Sequence, residues 1–184
     1  MLKTLPPERP DVPSPVEILQ QLIRFNTTNP PGDETACVLY VRDLLQAFGI
    51  ESRVLSKVDS RANLVAKIRG RGLAPPLMLY GHVDVVTTVH QEWTYPPFDG
   101  KLVDGYVWGR GALDMKGGIA MMLSALLDVV VQGFQPAGDI VLVVLSDEET
   151  GGSMGANFLV DRYPEIFEGI RYALGEFGGH TTYI

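Results

Sequence analysis

The residues of this chain that could do chemistry are His82, Asp84, Asp114, Asp147, Glu148, Glu149 and Glu176, and their placement follows a pattern. His82 and Asp84 follow the short apolar run Leu77-Met78-Leu79-Tyr80. Asp147, Glu148 and Glu149 follow the run from Ile140 to Leu145. Glu176 follows Tyr172-Ala173-Leu174, and Asp114 stands just before a long apolar stretch. Carboxylates gathered in one crevice repel and raise each other's pKa values unless a cation sits among them. Histidine with Asp and Glu is the ligand set of zinc or a similar divalent ion, and a two-ion site shares a bridging carboxylate. A single acid at a strand end is ordinarily a solvated loop residue. Here Gly81, Gly111, Gly117, Gly118, Gly151 and Gly152 flank the acids, and solvated acids need no glycine-permitted backbone beside them.

The elements that must position these residues are legible in the same sequence. Ser14-Pro15-Val16-Glu17 is a capping box with proline at the first helical position, and it predicts a helix to about Phe25. Asn29-Pro30-Pro31-Gly32 reads as a turn. A second helix is expected from about Glu34, with Ala36, Leu39, Leu44, Leu45 and Phe48 on one face, ending before Gly49. Strands are expected at Ile50–Ser56, Asn63–Ile68, Leu77–Tyr80, Asp139–Leu145 and from Arg171 to Leu174. Leu102–Trp108 reads as a strand or hairpin arm, after an aromatic and proline-rich loop from Trp93 to Gly100. Met115–Gln132 and Ser153–Tyr163 read as helices. Helices interleaved with apolar strands predict an α/β layer structure with a mostly parallel sheet. Ligands of such sheets bind beyond the carboxyl ends of the strands, where these acids and His82 stand.

Composition narrows the function classes. The 184 residues are 46% hydrophobic and 20% charged, which fits an ordinary folded domain. The net charge of −7 comes without any basic run, which argues against a general grip on nucleic acid or on an anionic membrane. The single cysteine, Cys37, excludes an intrachain disulfide framework and a cysteine-rich zinc site; it is expected to be a buried, inert thiol. The apolar stretch Ile119–Val131, broken by Ser124 and Asp128, is too short and polar to span a bilayer and reads as core. Residues 1–13, with four prolines, read as an extended lead-in, and their start lacks the apolar core of a secretory signal. A cytoplasmic location is the expectation.

The motifs Gly81-His82-Val83-Asp84-Val85-Val86, Trp93-Thr94-Tyr95-Pro96-Pro97-Phe98, Asp104 through Gly118 (DGYVWGRGALDMKGG) and Asp147-Glu148-Glu149-Thr150-Gly151-Gly152 resemble the M20 family of di-zinc metallopeptidases. The resemblance covers roughly residues 15–184. It implies a three-layer α/β/α, zinc-exopeptidase-like catalytic domain with a mostly parallel mixed sheet, C-terminally incomplete. It implies metal-dependent cleavage of an amide bond in an N-acyl amino acid or peptide. By position, His82 resembles a ligand of one metal and Asp84 the carboxylate that orients His82 through its other ring nitrogen. Asp114 resembles the bridging carboxylate, followed by a cis peptide to Met115. Glu148 resembles the general base and Glu149 its metal-binding neighbour. Glu176 fits a later carboxylate ligand, on a shorter motif. One metal would take His82, Asp114 and Glu176; the other Asp114, Glu149 and a further histidine.

That further histidine lies downstream of an inserted lid or dimerisation domain in the family pattern. The chain is therefore expected to be the N-terminal part of a longer enzyme, inactive by itself, whose full form pairs as a homodimer through the lid. Two zinc ions are the expected cofactors, with cobalt or manganese as alternatives. A catalytically silent metal-binding or assembly module is the alternative reading. His90 and His180 are expected to be bystanders. A phosphate site at Gly109-Arg110-Gly111 or Gly117-Gly118 is disfavoured, because neither phosphate-loop pattern is present and the acids nearby repel phosphate.

Overall fold

The computed structural model describes residues 11–176. Helix α1 (Pro15–Arg24) starts as its capping box dictates: the Glu17 N–H donates to the Ser14 hydroxyl, and the Ser14 N–H donates to the Glu17 carboxylate at 2.8 Å. It buries Ile18, Leu22 and Ile23. Helix α2 (Thr35–Ala47) buries Cys37, Val38, Val41 and Leu45. Of the expected face, Leu45 is buried and Leu44 and Phe48 pack against the core at partial burial, while Ala36 is exposed. Both stripes of α2 are apolar, so periodicity alone does not choose between them; packing against the sheet does.

The strands β1 (Ser52–Ser56), β2 (Ala62–Ile68), β3 (Leu77–His82), β6 (Ile140–Leu145) and β7 (Tyr172–Leu174) form one sheet in the order β1-β2-β6-β3-β7. The β6-β3-β7 part is parallel, while β1 and β2 run antiparallel to each other and β2 antiparallel to β6. The sheet is thus mixed, with its parallel part under the acidic residues. Strands β4 (Lys101–Val103) and β5 (Tyr106–Trp108) form a separate hairpin. Its Asp104-Gly105 turn has positive φ at both residues, the geometry that matches the twist of a hairpin.

Alternation along the strands builds the two faces. Leu64, Ala66, Leu142 and Val144 pack with α1, α2 and helix α3 (Lys116–Val131), which contributes Ile119, Leu123 and Leu127. Val65, Val141, Val143 and Leu145 face the other way, against Leu159 of α4 (Ala156–Arg162) and Ile166 of a 3-10 turn, Pro164–Phe167. The result is the expected three layers. Full burial of each such aliphatic side chain stabilises by about 1.5–3 kcal/mol. Cys37 is fully buried, and burial pushes its thiol up to about 11. The expected lead-in lies almost entirely outside the described residues. Among the described residues, no helix is long and apolar enough to cross a membrane.

Register explains why the chemistry gathers at one edge. β3 and β6 run parallel with His82 opposite Leu145, so the residues that follow each strand emerge side by side. β7 pairs with β3 with Leu174 opposite Leu79, which brings Glu176 to the same edge.

Candidate metal centre

His82 closes β3 with its ring buried. Its Nδ1 lies 3.0 Å from the carbonyl oxygen of Asp84 and 3.4 Å from Asp84 Oδ1. A proton on Nδ1 is therefore well placed, and that tautomer leaves the Nε2 lone pair free. Nε2 faces Asp114 Oδ1 at 3.0 Å, Glu176 Oε2 at 3.2 Å and Glu148 Oε2 at 3.7 Å. Two ligand atoms that each lie about 2.0–2.1 Å from one tetrahedral ion are about 3.3 Å apart, so this spacing fits a divalent cation. Among the described residues, His82, Asp114 and Glu176 form a group whose ligand atoms converge closely enough to hold an ion.

The electrostatics agree. Burial opposes the charged form of His82, but the hydrogen bonding and charge of Asp84, aided by Glu148, outweigh it and raise its pKa from 6.5 to about 9. The Glu176 carboxyl is pushed up by burial and by the charge of Asp114. Glu149 is pushed up by burial and then by Asp114, Asp84 and Glu148. Acids that raise one another beside an imidazole are a site short of positive charge.

Asp114 is presented by the loop before α3, and the Asp114–Met115 peptide is cis, as expected. The start of α3 is tied down by Lys116, which is fully buried and donates from Nζ to the carbonyls of Leu22 at 3.0 Å and Phe25 at 2.8 Å. These are the last carbonyls of α1, where the helix dipole favours a cation. Burial lowers the Lys116 pKa to about 8.

Glu148 and Glu149 sit on a 3-10 turn, Glu148–Thr150, entered through Asp147 at φ 66° and left through Gly151 and Gly152, both at positive φ. On this sharp turn Glu148 Oε2 comes within 3.7 Å of His82 Nε2, while Glu149 lies near enough to Asp114 for their charges to interact but is not among the converging ligand atoms. The Asp84 carboxylate holds it in place: Oδ1 accepts the Glu148 N–H and Oδ2 the Glu149 N–H, each at 3.1 Å. Asp84 therefore grips the turn with its carboxylate and the His82 ring mainly with its carbonyl, a division that the sequence reading did not contain. Burial works against the Asp84 charge, but His82, Asn29 and the Glu149 N–H keep its pKa low. Gly155 lies so close to the Ser146 carbonyl that a Cβ there would collide with backbone.

The support beneath the turn was not recognised from sequence. Asn29 Nδ2 donates to Asp84 Oδ2 at 2.8 Å, Thr150 Oγ1 at 2.9 Å and Asp147 Oδ1 at 3.2 Å. Arg61 donates to both oxygens of Glu34 at 2.7 and 2.9 Å, and to Asp147 Oδ1 at 3.0 Å. The Asp147 carboxyl is kept low, against the effect of its burial, by the Thr150 hydroxyl, the Met154 N–H, Asn29 and Ser153. Glu34 is raised by burial, an effect that Arg61 partly offsets. The turn Asn29-Pro30-Pro31-Gly32 and the polar Arg61 ahead of an apolar strand were the signals available, but the partners lie 55, 86 and 118 residues away.

His90 is exposed in its loop, as expected. His180 lies outside the described residues. A cleft of about 850 Å³, walled by Leu113, Met121 and Leu174, opens beside Asp114 and Glu176.

A probable succinyl-diaminopimelate desuccinylase of Staphylococcus epidermidis is 39% identical over 147 residues, which cover 79% of this chain and 35% of that protein. The chain thus spans little more than a third of the length of such curated relatives. An M20 family metallo-carboxypeptidase from Sulfolobus solfataricus shares the fold, with a TM-score of 0.75 at 17% identity over 91% of this chain and 38% of its own. A dinuclear metal binding peptidase of the M20 family from Bacillus subtilis aligns at a TM-score of 0.62 and 19% identity, covering 88% of this chain and 41% of its own. The profile described as peptidase family M20/M25/M40 matches residues 78–181, from within β3 to beyond Glu176. With more than half of its length inside that match, the chain belongs to peptidase family M20/M25/M40.

Proposed function

We propose that this chain supplies much of the active site of a metal-dependent hydrolase that cleaves an amide bond in a small N-acyl amino acid or peptide. The observation that carries the reading is His82 Nε2 standing 3.0 and 3.2 Å from the carboxylate oxygens of Asp114 and Glu176, with the other ring nitrogen already held. His82, Asp114 and Glu176 would hold one divalent ion. Asp114 and Glu149 would contribute to a second, the arrangement suggested by the dinuclear description of the Bacillus subtilis protein. Zinc is the first choice of metal, with cobalt and manganese compatible with a carboxylate-rich set. The desuccinylase relative favours a succinylated amino acid as substrate.

Bound ions supply Lewis acidity to the amide carbonyl and to the attacking water. The chain's own residues do the rest. Glu148, half exposed beside the ligands, takes a proton from the water on its carboxylate and returns it to the leaving amine nitrogen. Asp84 keeps the His82 ring and the Glu148–Glu149 backbone in one register. The composition favours a cytoplasmic location, and the family resemblance favours pairing of the full-length protein as a homodimer through its lid.

Calorimetric titration of the chain with Zn2+ tests the reading. Uptake that disappears in His82→Ala supports it; equal uptake by the variant removes His82 from the site.

A further inference from the structure

Asn29 stands between two buried aspartates that belong to different strands. Asp84 follows β3, Asp147 follows β6, and both are almost wholly buried, as is Asn29. Its Nδ2 bears two hydrogens and faces three acceptors, one on each aspartate and one on Thr150. The orientation of the amide is fixed by this surrounding, since its carbonyl oxygen turned the other way would face two carboxylates. The Thr150 hydroxyl accepts from Asn29 and donates to Asp147 Oδ1, so the contacts close a ring. Asn29 is itself pinned to the chain after β3: its N–H donates to the Val85 carbonyl at 2.9 Å, and Val85 N–H donates to Thr27 at 3.1 Å. Among the described residues, Asn29 and His82 are the side chains within reach of the Asp84 carboxylate. Arg61 donates to the same Asp147 Oδ1 at 3.0 Å, and its other bonds go to Glu34 and the Pro31 carbonyl.

We propose that Asn29 is a positioning residue of the metal centre. It locks Asp84 to the Asp147–Thr150 turn, so that His82 from β3 and Glu148 and Glu149 from the turn after β6 hold one geometry. The inference rests on the metal-centre reading above. Without the amide, Asp84 loses its shortest hydrogen bond, and two buried carboxylates are left facing each other across the gap. The carboxylate's hold on both backbone N–H groups, and the place of its charge beside the His82 ring, then shift together.

The test is Co2+ titration of the 184-residue chain, read by calorimetry and visible absorption. The variants are Asn29→Leu, which matches the shape without donors, and the milder Asn29→Ser, which decides the matter where the leucine form does not fold. Ser153→Ala is the comparison: it removes a bond to Asp147 Oδ2 at 3.1 Å and touches neither Asp84 nor the ligands. Melting of each metal-free variant ranks its stability. Both Asn29 variants are expected to bind Co2+ roughly tenfold or more weakly with an altered spectrum. Ser153→Ala is expected to melt earlier yet keep the wild-type affinity and spectrum. Wild-type affinity and spectrum in the Asn29 variants overturn the proposal, as does an equal loss in Ser153→Ala. A wild-type chain that takes up no Co2+ overturns the metal-centre reading itself, and the Asn29 proposal with it.

Discussion

The ring of His82 turns its Nδ1 toward the backbone carbonyl of Asp84 at 3.0 Å, closer than the carboxylate oxygen of the same residue at 3.4 Å. The two contacts separate by substitution. Asp84→Asn keeps the carbonyl and the shape of the side chain but removes the charge. The His82 pKa, about 9 in the metal-free chain, is then expected to fall toward 6.5, because the charge of Asp84 is a main contribution that raises it. The affinity for Zn2+ should drop by about 10–100-fold. A proton NMR titration of the His82 ring checks the first effect and calorimetry the second. An unchanged ring pKa would mean that the carbonyl alone sets the charge state.

The raised His82 pKa also sets how metal uptake depends on pH. Near neutrality the metal-free ring is protonated, so a metal must displace that proton. Affinity is expected to climb by about tenfold per pH unit until the pH passes about 9, then level off. Stability of the metal-free fold runs the other way. The folded pKa lies above the unfolded value, so this contribution is fully present below 6.5 and is lost as pH rises through about 9. Calorimetry near neutral pH in buffers of different ionisation enthalpy should count about one proton released per first metal bound. Proton release near zero contradicts the raised pKa.

Glu148 separates binding from chemistry. It lies 3.7 Å from His82 Nε2, farther than Asp114 or Glu176, and is the more exposed of the two acids on its turn. Glu148→Gln in a protein of the relatives' full length is expected to keep its metal content while turnover falls by about 10²–10⁴-fold, the usual contribution of a general base. Steady-state kinetics beside elemental analysis reads both quantities. Near-normal turnover removes Glu148 from that role.

What the sequence disclosed and what it hid divide along physical lines. Short apolar runs marked β3 and β6, the capping box marked the start of α1, and the acids at the strand ends marked the site, because each signal is local to a few residues. Strand direction at β1 and β2 was not legible, since an apolar run looks alike in either sense. The buried face of α2 is legible only in part, because two adjoining stripes are both apolar: Leu45 is buried as expected, and Ala36 is exposed. Asn29, Glu34, Arg61 and Lys116 stayed hidden for another reason. Each is a polar residue whose meaning comes from a partner far along the chain, as Lys116 does from the carbonyls of Leu22 and Phe25.

Arg61 carries the clearest stability prediction. Its guanidinium lies between the carboxylates of Glu34 and Asp147, with both acids nearly inaccessible. Arg61→Met keeps much of the aliphatic volume but leaves two buried carboxylates without their cation. Breaking a buried pair in this way costs about 3–5 kcal/mol. Glu34→Gln in the same chain removes one of the stranded charges, so the double variant should recover part of that loss. The recovery should be incomplete, because Asp147 still lacks Arg61 and keeps only Asn29, Thr150, Ser153 and the Met154 N–H. Urea unfolding of the wild type, both single variants and the double variant gives the coupling directly. Additive losses would show that Glu34 and Arg61 act independently, against the two short bonds between them.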